Sequence, residues 1–318
     1  MRNYSFYVLV LTAFSLMTSC GNKPAMTTIG YIQIAQDPSL DKAREGLLQA
    51  LRDSGYIDGA NFRFLDNNAQ GDLSLIPTIL QSLISRQVDI IVTNTTPCMI
   101  AAAQMVKEIP VVFTVSFSPQ DMKVTTIPDN LYGIYDAYDV EPFVDLMLSL
   151  MPNLKKIGLP YNNAEPNAGF SSKCMIEELS KRGIDVVTVS VNSSNDILTA
   201  GNYLVDKNVE AIVVVADNIV NLGQALLAKI GAENNIPLFV TEPMQAAKGA
   251  SIGYGVDYTD WGYEAGLKVI EILRNRPIAE TEKIVPMKKK MLLINQKAAK
   301  SQGLSIPDSL LKKATILL

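Results

Sequence analysis

The chain contains no histidine. Ser-His-Asp triads, histidine general bases and the commonest zinc ligand are excluded together. Cysteine is scarce, with three in 318 residues. Cys98 and Cys174 lie too far apart for a local metal motif, and they fall in different halves of the chain. Two buried free thiols are therefore expected, not a disulfide. Dense basic stretches are also missing. Lys288-Lys289-Lys290 is the one such run, and the formal net charge is -4. Without a surface to track a phosphate backbone, no nucleic-acid partner is expected. No glycine-rich fingerprint follows the first expected strand, where Gln33-Ile34-Ala35-Gln36 stands instead. Phosphate-binding loops, nucleophile elbows and His-Glu metal patterns are absent too. The sequence thus offers no catalytic residue, no metal site and no cofactor site.

What is present is a globular composition, 48% hydrophobic and 19% charged. The length suits two domains, each able to bury a core. The N-terminus reads Met1-Arg2, the apolar run Phe6 to Met17, then Thr18-Ser19-Cys20-Gly21. A basic start, a short apolar stretch and small residues before the break describe an export signal. The run is too short to span a bilayer. Leu16-Met17-Thr18-Ser19-Cys20 also resembles a bacterial lipoprotein signal, in which the cysteine becomes the first mature residue and carries the lipid. The expectation is a signal peptide over residues 1–19, a lipidated tether over 20–27, and a protein held at a bacterial membrane, facing the periplasm or the exterior.

Beyond the tether, apolar β-branched runs alternate with helical patterns. Strands are expected at 29–34, 61–65, 88–93 and 111–115, with helices at 39–53, 73–86 and 97–107. A helix at 139–150 leads to a second series. Its strands are expected at 157–161, 185–191, 211–215 and 236–240, and its helices at 169–182, 197–207 and 219–233. Such alternation gives parallel sheets covered on both faces, with right-handed crossovers. A strand at 250–256, a long helix at 260–273, a short strand at 291–294 and a helical piece at 307–314 follow. The fold class is α/β, as two Rossmann-like lobes.

In open parallel sheets ligands bind beyond the C-terminal strand ends. The residues there are small or polar. Candidate ligand contacts are Gln33, Thr95, Thr96, Ser116, Asn162, Glu165, Asn167, Asp217, Asn218, Thr241 and Asp257. Tyr135 joins them, at the passage between the lobes, where a ring can cover a flat ligand group. Thr96 and Pro97 suit the start of a helix whose first amides would face the crevice and hold a carboxylate. Plain capping accounts for the same residues. Asp217 either caps the next helix or faces a ligand ammonium. Acids outnumber bases at these ends, which favours a zwitterion, a cation or a neutral polar molecule over a phosphorylated one.

Taken in order, these pieces resemble a family. They include Ile29-Gly30-Tyr31-Ile32-Gln33, Asn68-Ala69-Gln70-Gly71-Asp72, Thr96-Pro97, Ile109-Pro110-Val111, Leu150-Met151-Pro152-Asn153, Tyr161-Asn162, Asp217-Asn218 and Gly255-Val256-Asp257-Tyr258. The chain is similar to the substrate-binding lipoproteins of ABC importers of the tryptophan/tyrosine-binding type. The resemblance implies a type I periplasmic binding protein with three hinge crossovers, near 135–139, 257–260 and 278–283. Lobe 1 would comprise 28–136 plus 258–280, and lobe 2 would comprise 137–257 plus 281–318. It implies a monomer that captures a small polar solute between the lobes, an aromatic or other amino acid among the candidates, and hands it to a membrane permease with its ATPase. It also implies a ligand carboxylate near Thr96 and an amino group near Asp217. Two loops depart from the family pattern: Ser118-Pro119 replaces Asp-Pro, and Asn163-Ala164 replaces Pro-Gly. Both would face the ligand, so the solute stays open. A surface lipoprotein that senses a ligand and docks on a receptor would share the fold, and a surface enzyme is the remaining alternative.

Overall fold

The computed structural model describes residues 26–318. Cys20 and the signal before it lie outside the described residues. Lobe 1 begins with β1 (Thr27–Gln33), α1 (Pro38–Asp53), β2 (Phe62–Asn68), α2 (Leu75–Ser85), β3 (Ile90–Asn94), α3 (Thr96–Met105), β4 (Val111–Ser116) and β5 (Leu131–Tyr135). The chain then crosses to lobe 2, with α4 (Glu141–Leu150), β6 (Lys156–Tyr161), α5 (Pro166–Lys181), β7 (Asp185–Ser190), α6 (Ile197–Asp206) and β8 (Ala211–Val214). There follow α7 (Asn218–Leu222), α8 (Gln224–Asn234), β9 (Leu238–Val240), a 3-10 turn (Pro243–Lys248) and β10 (Ile252–Val256). A return to lobe 1 adds α9 (Tyr258–Leu273), α10 (Glu280–Lys283) and β11 (Ile284–Pro286). A last crossing leads to β12 (Lys290–Ile294), α11 (Gln296–Ser301), α12 (Asp308–Leu311) and β13 (Ile316–Leu317).

The first sheet runs β11-β5-β4-β3-β1-β2 with every pairing parallel. The second runs β13-β12-β10-β9-β8-β6-β7, and only β10 and β12 pair antiparallel. In the centre of the first sheet, β3 and β4 are buried along their whole length. They read as continuous apolar runs because helices cover both faces. The fold is the expected pair of α/β lobes.

Three differences from the sequence reading have physical causes. The third crossing lies at 287–289, not 278–283. Ile284–Pro286 pairs with Gly133–Tyr135 and so belongs to lobe 1, not to a second lobe starting at 281. Pro286 is tolerated because β11 is an edge strand. The helix expected at 219–233 is broken at Gly223, where a Cβ would come within 2.5 Å of the Ile197 side chain. Strand β5 was not expected, because its identity rests on pairing with β4 on one side and the edge strand β11 on the other.

Helices α1 and α9 pack unusually closely. The α1 sequence is capped by Asp37, which accepts from the Ser39 amide at 2.8 Å, and it buries Leu40, Ala43, Leu47, Ala50 and Leu51 at helical spacing. A Cβ on Gly46 would stand 2.0 Å from the Thr259 carbonyl, and one on Gly262 would stand 1.8 Å from the Ala43 carbonyl. These glycines let the two backbones touch. The contact fixes the start of α9, which carries Tyr258 and Trp261 to the space between the lobes. Cys98 and Cys174 are both free.

Candidate functional site: a cavity between the lobes

The strand ends of both sheets converge on one cavity. It holds about 440 Å³ of space, part of it open to solvent. Lobe 1 contributes Thr95 and Thr96 after β3, and Val115, Ser116 and Phe117 at the end of β4. Asp136 and Tyr138 come from the first crossing. Lobe 2 contributes Asn167 at the start of α5, Ala216 and Asn218 after β8, and Thr241 and Glu242 after β9. Val256, Tyr258 and Trp261 complete the wall from the second crossing.

Local backbone features aim these side chains. Val115 sits at φ 50°, a strained value for a β-branched residue. The β4–β5 register shifts between Phe113 and Ser116, which turns Ser116 and Phe117 toward the cavity. Thr95, not Thr96, occupies the N-cap position of α3, and it makes no side-chain cap. Thr96 Oγ1 instead accepts from Ser116 Oγ at 3.1 Å and from the Phe117 amide at 3.4 Å. Pro97 brings no N–H, so the Thr96 and Cys98 amides open this helix without a side-chain acceptor. Burial pushes the Cys98 thiol up to about 12, so it stays protonated.

Aromatic rings form two walls. Phe117 packs on Tyr138 and, across the lobes, on Phe170, each with centroids 4.9 Å apart. Tyr258 meets Trp261 edge-on at 5.6 Å. Trp261 Nε1 donates to the Ile134 carbonyl at 2.7 Å, which locks the indole. Between these walls lies an acidic lining. Asp136 is matched by Lys290 at 2.6 Å. Glu242 is 8% exposed and has no bonded cation among the described residues. Burial first, then the nearby Asp37 carboxylate, push it up to about 8 against the opposing pull of Tyr258, Asn221 and Lys248.

The lobes also touch directly. Asn218 Nδ2 reaches Thr95 Oγ1 at 3.3 Å. Gln245 Nε2 donates to Asp37 Oδ1 and to Ser39 Oγ, both at 3.2 Å, and Lys248 pairs with Asp37. These bonds join lobe 1 to lobe 2 around the cavity, so the arrangement is closed.

Of the residues singled out from sequence, Thr95, Thr96, Ser116, Asn167, Asn218 and Thr241 line the cavity. Glu165 lies behind it, hydrogen-bonded to Asn167 and Asn218. Gln33 is fully buried in the lobe 1 core, bonded to Tyr31, Asp41 and the Ala35 carbonyl. Tyr135 lines a separate surface groove with Ser118 and Lys283. The Asn162 carboxamide closes its own turn onto the Ala164 amide. Asp257 caps α9 through the Thr259 and Asp260 amides. Asp217 is fully buried and caps α7, accepting from the Ile219 and Val220 amides, while its second oxygen accepts from the Asn162 amide at 2.6 Å. Its oxygens are thus occupied by backbone, and it does not line the cavity. Of the other lining residues, Phe117, Glu242 and Tyr258 fall in the strand-end segments that the sequence marks, and Asp136 and Tyr138 fall at the passage between the lobes. Trp261, one turn into α9, is the lining residue the sequence reading missed.

Two α/β lobes with three crossings and a cavity at facing strand ends define the fold of type I periplasmic binding proteins. The family model described as ABC transporter substrate binding protein matches residues 28–317, and the chain belongs to that family. A curated relative, the tyrosine-binding protein of Clostridioides difficile (strain R20291), is 30% identical over 277 residues, covering 86% of this chain and 80% of the relative. The crystal structure of an ABC domain in complex with L-Trp from Streptococcus pneumonia is 26% identical, covers 92% of this chain and 99% of that one, and superposes with a TM-score of 0.84. The ligand-free, open structure of a substrate-binding protein with adhesive properties from Clostridium difficile is 28% identical, with 91% and 98% coverage. Its TM-score is only 0.67. At nearly equal identity, the weaker overlap with an open structure agrees with the closed arrangement seen here.

Proposed function

We propose that this chain is the extracytoplasmic solute-binding component of an ABC importer and that its solute is an amino acid with an aromatic side chain. One observation carries the reading. The interlobe cavity combines two aromatic walls with acceptors on lobe 2 and side-chain-free amides on lobe 1. The ring would lie between Phe117–Tyr138 and Tyr258–Trp261. The carboxylate would meet the first turn of α3 and the Thr95 and Thr96 hydroxyls. The tyrosine-binding relative and the L-Trp complex support this choice.

Capture would proceed by rotation about the three crossings at 136–139, 257 and 287–289. Solute shifts that equilibrium because both lobes contribute to the cavity, so the closed form binds more tightly than the open one. The closed protein would then dock on a permease with its ATPase. Cys20 would be lipidated after removal of residues 1–19 and would hold the protein at the membrane, outside the cytoplasm.

A thermal-shift and calorimetric screen of the mature chain against amino acids, aromatic acids, nucleosides and sugars tests the reading. Stabilisation by L-tyrosine or L-tryptophan is expected, and stabilisation only by sugars or nucleosides would overturn it. Labelling cells with a clickable fatty acid tests the anchor: Cys20→Ala should abolish incorporation.

A further inference from the structure

The acids around the cavity are of two kinds. Asp136 has Lys290, and Asp37, farther out between the lobes, has Lys248. Glu165, Asp217 and the wall residue Glu242 have no bonded cation among the described residues, and the first two are neighbours. Both are almost fully buried, Glu165 at 1% exposure. Glu165 Oε2 accepts from Asn167 Nδ2 at 2.9 Å, from the Asn218 amide at 3.2 Å and from Asn218 Nδ2 at 2.6 Å. Its other oxygen, Oε1, is buried and has no donor among the described residues. Asn167 Oδ1, on a side chain that lines the cavity, has none either. The groups facing Glu165 are Asp217 ahead of α7 and the Cys98 thiol on α3. Neither supplies positive charge.

The Asn167 Nδ2–Glu165 Oε2 hydrogen bond joins two side chains that each keep a buried oxygen without a donor, Asn167 Oδ1 at the cavity wall and Glu165 Oε1 behind it, and together they form a socket for a group with several N–H bonds. Leaving such acceptors empty costs about 1–3 kcal/mol each, so the protein gains by filling them. Water would satisfy the hydrogen bonds but not the charge of two adjacent carboxyls. We propose that Glu165 Oε1 and Asn167 Oδ1 seat the ammonium group of the solute and that the Glu165–Asp217 pair releases one shared proton to the solvent as it arrives. The inference rests on the amino-acid reading above and gives it a different anchor from the Asp217 carboxylate.

The charge argument supports the proton release. Burial raises the pKa of Glu165, and burial with the charge of Glu165 raises that of Asp217. Without a cation the pair holds a proton near neutral pH, as carboxyls that share a site do. The ammonium supplies the missing charge and keeps its own protons, so the proton lost by the pair passes to the buffer.

Calorimetry of the mature chain with L-tyrosine and L-tryptophan at pH 7, in phosphate and in Tris, reads the proton count from the dependence of heat on buffer. The expected release is about half a proton to one proton. Glu165→Gln should abolish that release and weaken binding roughly 30-fold or more. It should also erase the preference for L-tyrosine over 3-(4-hydroxyphenyl)propionate, which lacks the amine. Buffer-independent heats in the wild type, or a variant within about three-fold of wild-type affinity, would overturn the seat. If neither amino acid binds the wild type, the proposed function fails on its own. The pair is then tested in the solute-free protein by carbon-13 NMR titration of its carboxyls: a proton held near neutral pH is expected, and both groups ionised by pH 5 would overturn it.

Discussion

Replacing Glu242 with glutamine should change how stability depends on pH. Glu242 is buried on the cavity wall, and its folded-state pKa is raised from 4.5 to about 8. The folded protein therefore holds that proton more tightly than the unfolded chain. Its stabilising effect is complete below about pH 4.5 and is lost as pH rises through 8. One proton gives a slope of at most about 1.4 kcal/mol per pH unit, so the wild type should lose up to about 4 kcal/mol through this group between pH 5 and 8. Glutamine keeps the shape and cannot ionise. The assay is the thermal midpoint of the solute-free protein and of Glu242→Gln at pH 5, 6, 7 and 8. The two should nearly coincide at pH 5, and the variant should be the more stable by several degrees at pH 8. Parallel curves across this range would refute the reasoning, because the difference isolates Glu242 from other titrating acids.

Other consequences are equally concrete. Gly262→Ala would place a methyl group 1.8 Å from the Ala43 carbonyl; the helices must part, and circular dichroism melts should show a loss of about 3 kcal/mol. Asp217→Ala strands three backbone amides, of Asn162, Ile219 and Val220, so it should destabilise lobe 2 by roughly 3 kcal/mol or more, with Asp217→Asn milder. Denaturant titration separates that structural loss from any loss of solute affinity. Lys248→Met removes the cation paired with the buried Asp37 across the lobes; small-angle scattering should show a larger radius of gyration for the solute-free variant.

The architecture was legible because its signals are local. Apolar runs such as Ile90 to Val92 and Ala211 to Val214 declare buried parallel strands, and Thr96-Pro97 declares a helix start. The short edge strand Ile284–Pro286 was not legible, because its identity depends on pairing with Gly133–Tyr135. The site was half legible. Polar residues at strand ends mark a crevice, yet Asn167 and Gln33 look alike in sequence and differ only in which way the fold turns them. Asp217 shows the same limit. A capping role and an ammonium-binding role call for the same residue at the same place, and only the three amides bonded to it distinguish them. Glu242 stands at a strand end beside Thr241, but its raised pKa depends on burial and on the charge of Asp37, about two hundred positions away in sequence.

The central claim is that an aromatic amino acid binds between the two lobes. A crystal structure of the mature chain grown with L-tyrosine or L-tryptophan tests it most directly. The ring is expected between Phe117–Tyr138 and Tyr258–Trp261, the carboxylate at Thr95–Thr96 and the ammonium at Glu165–Asn167. A solute bound elsewhere, or in the reverse orientation with its carboxylate at Glu165, would contradict the account.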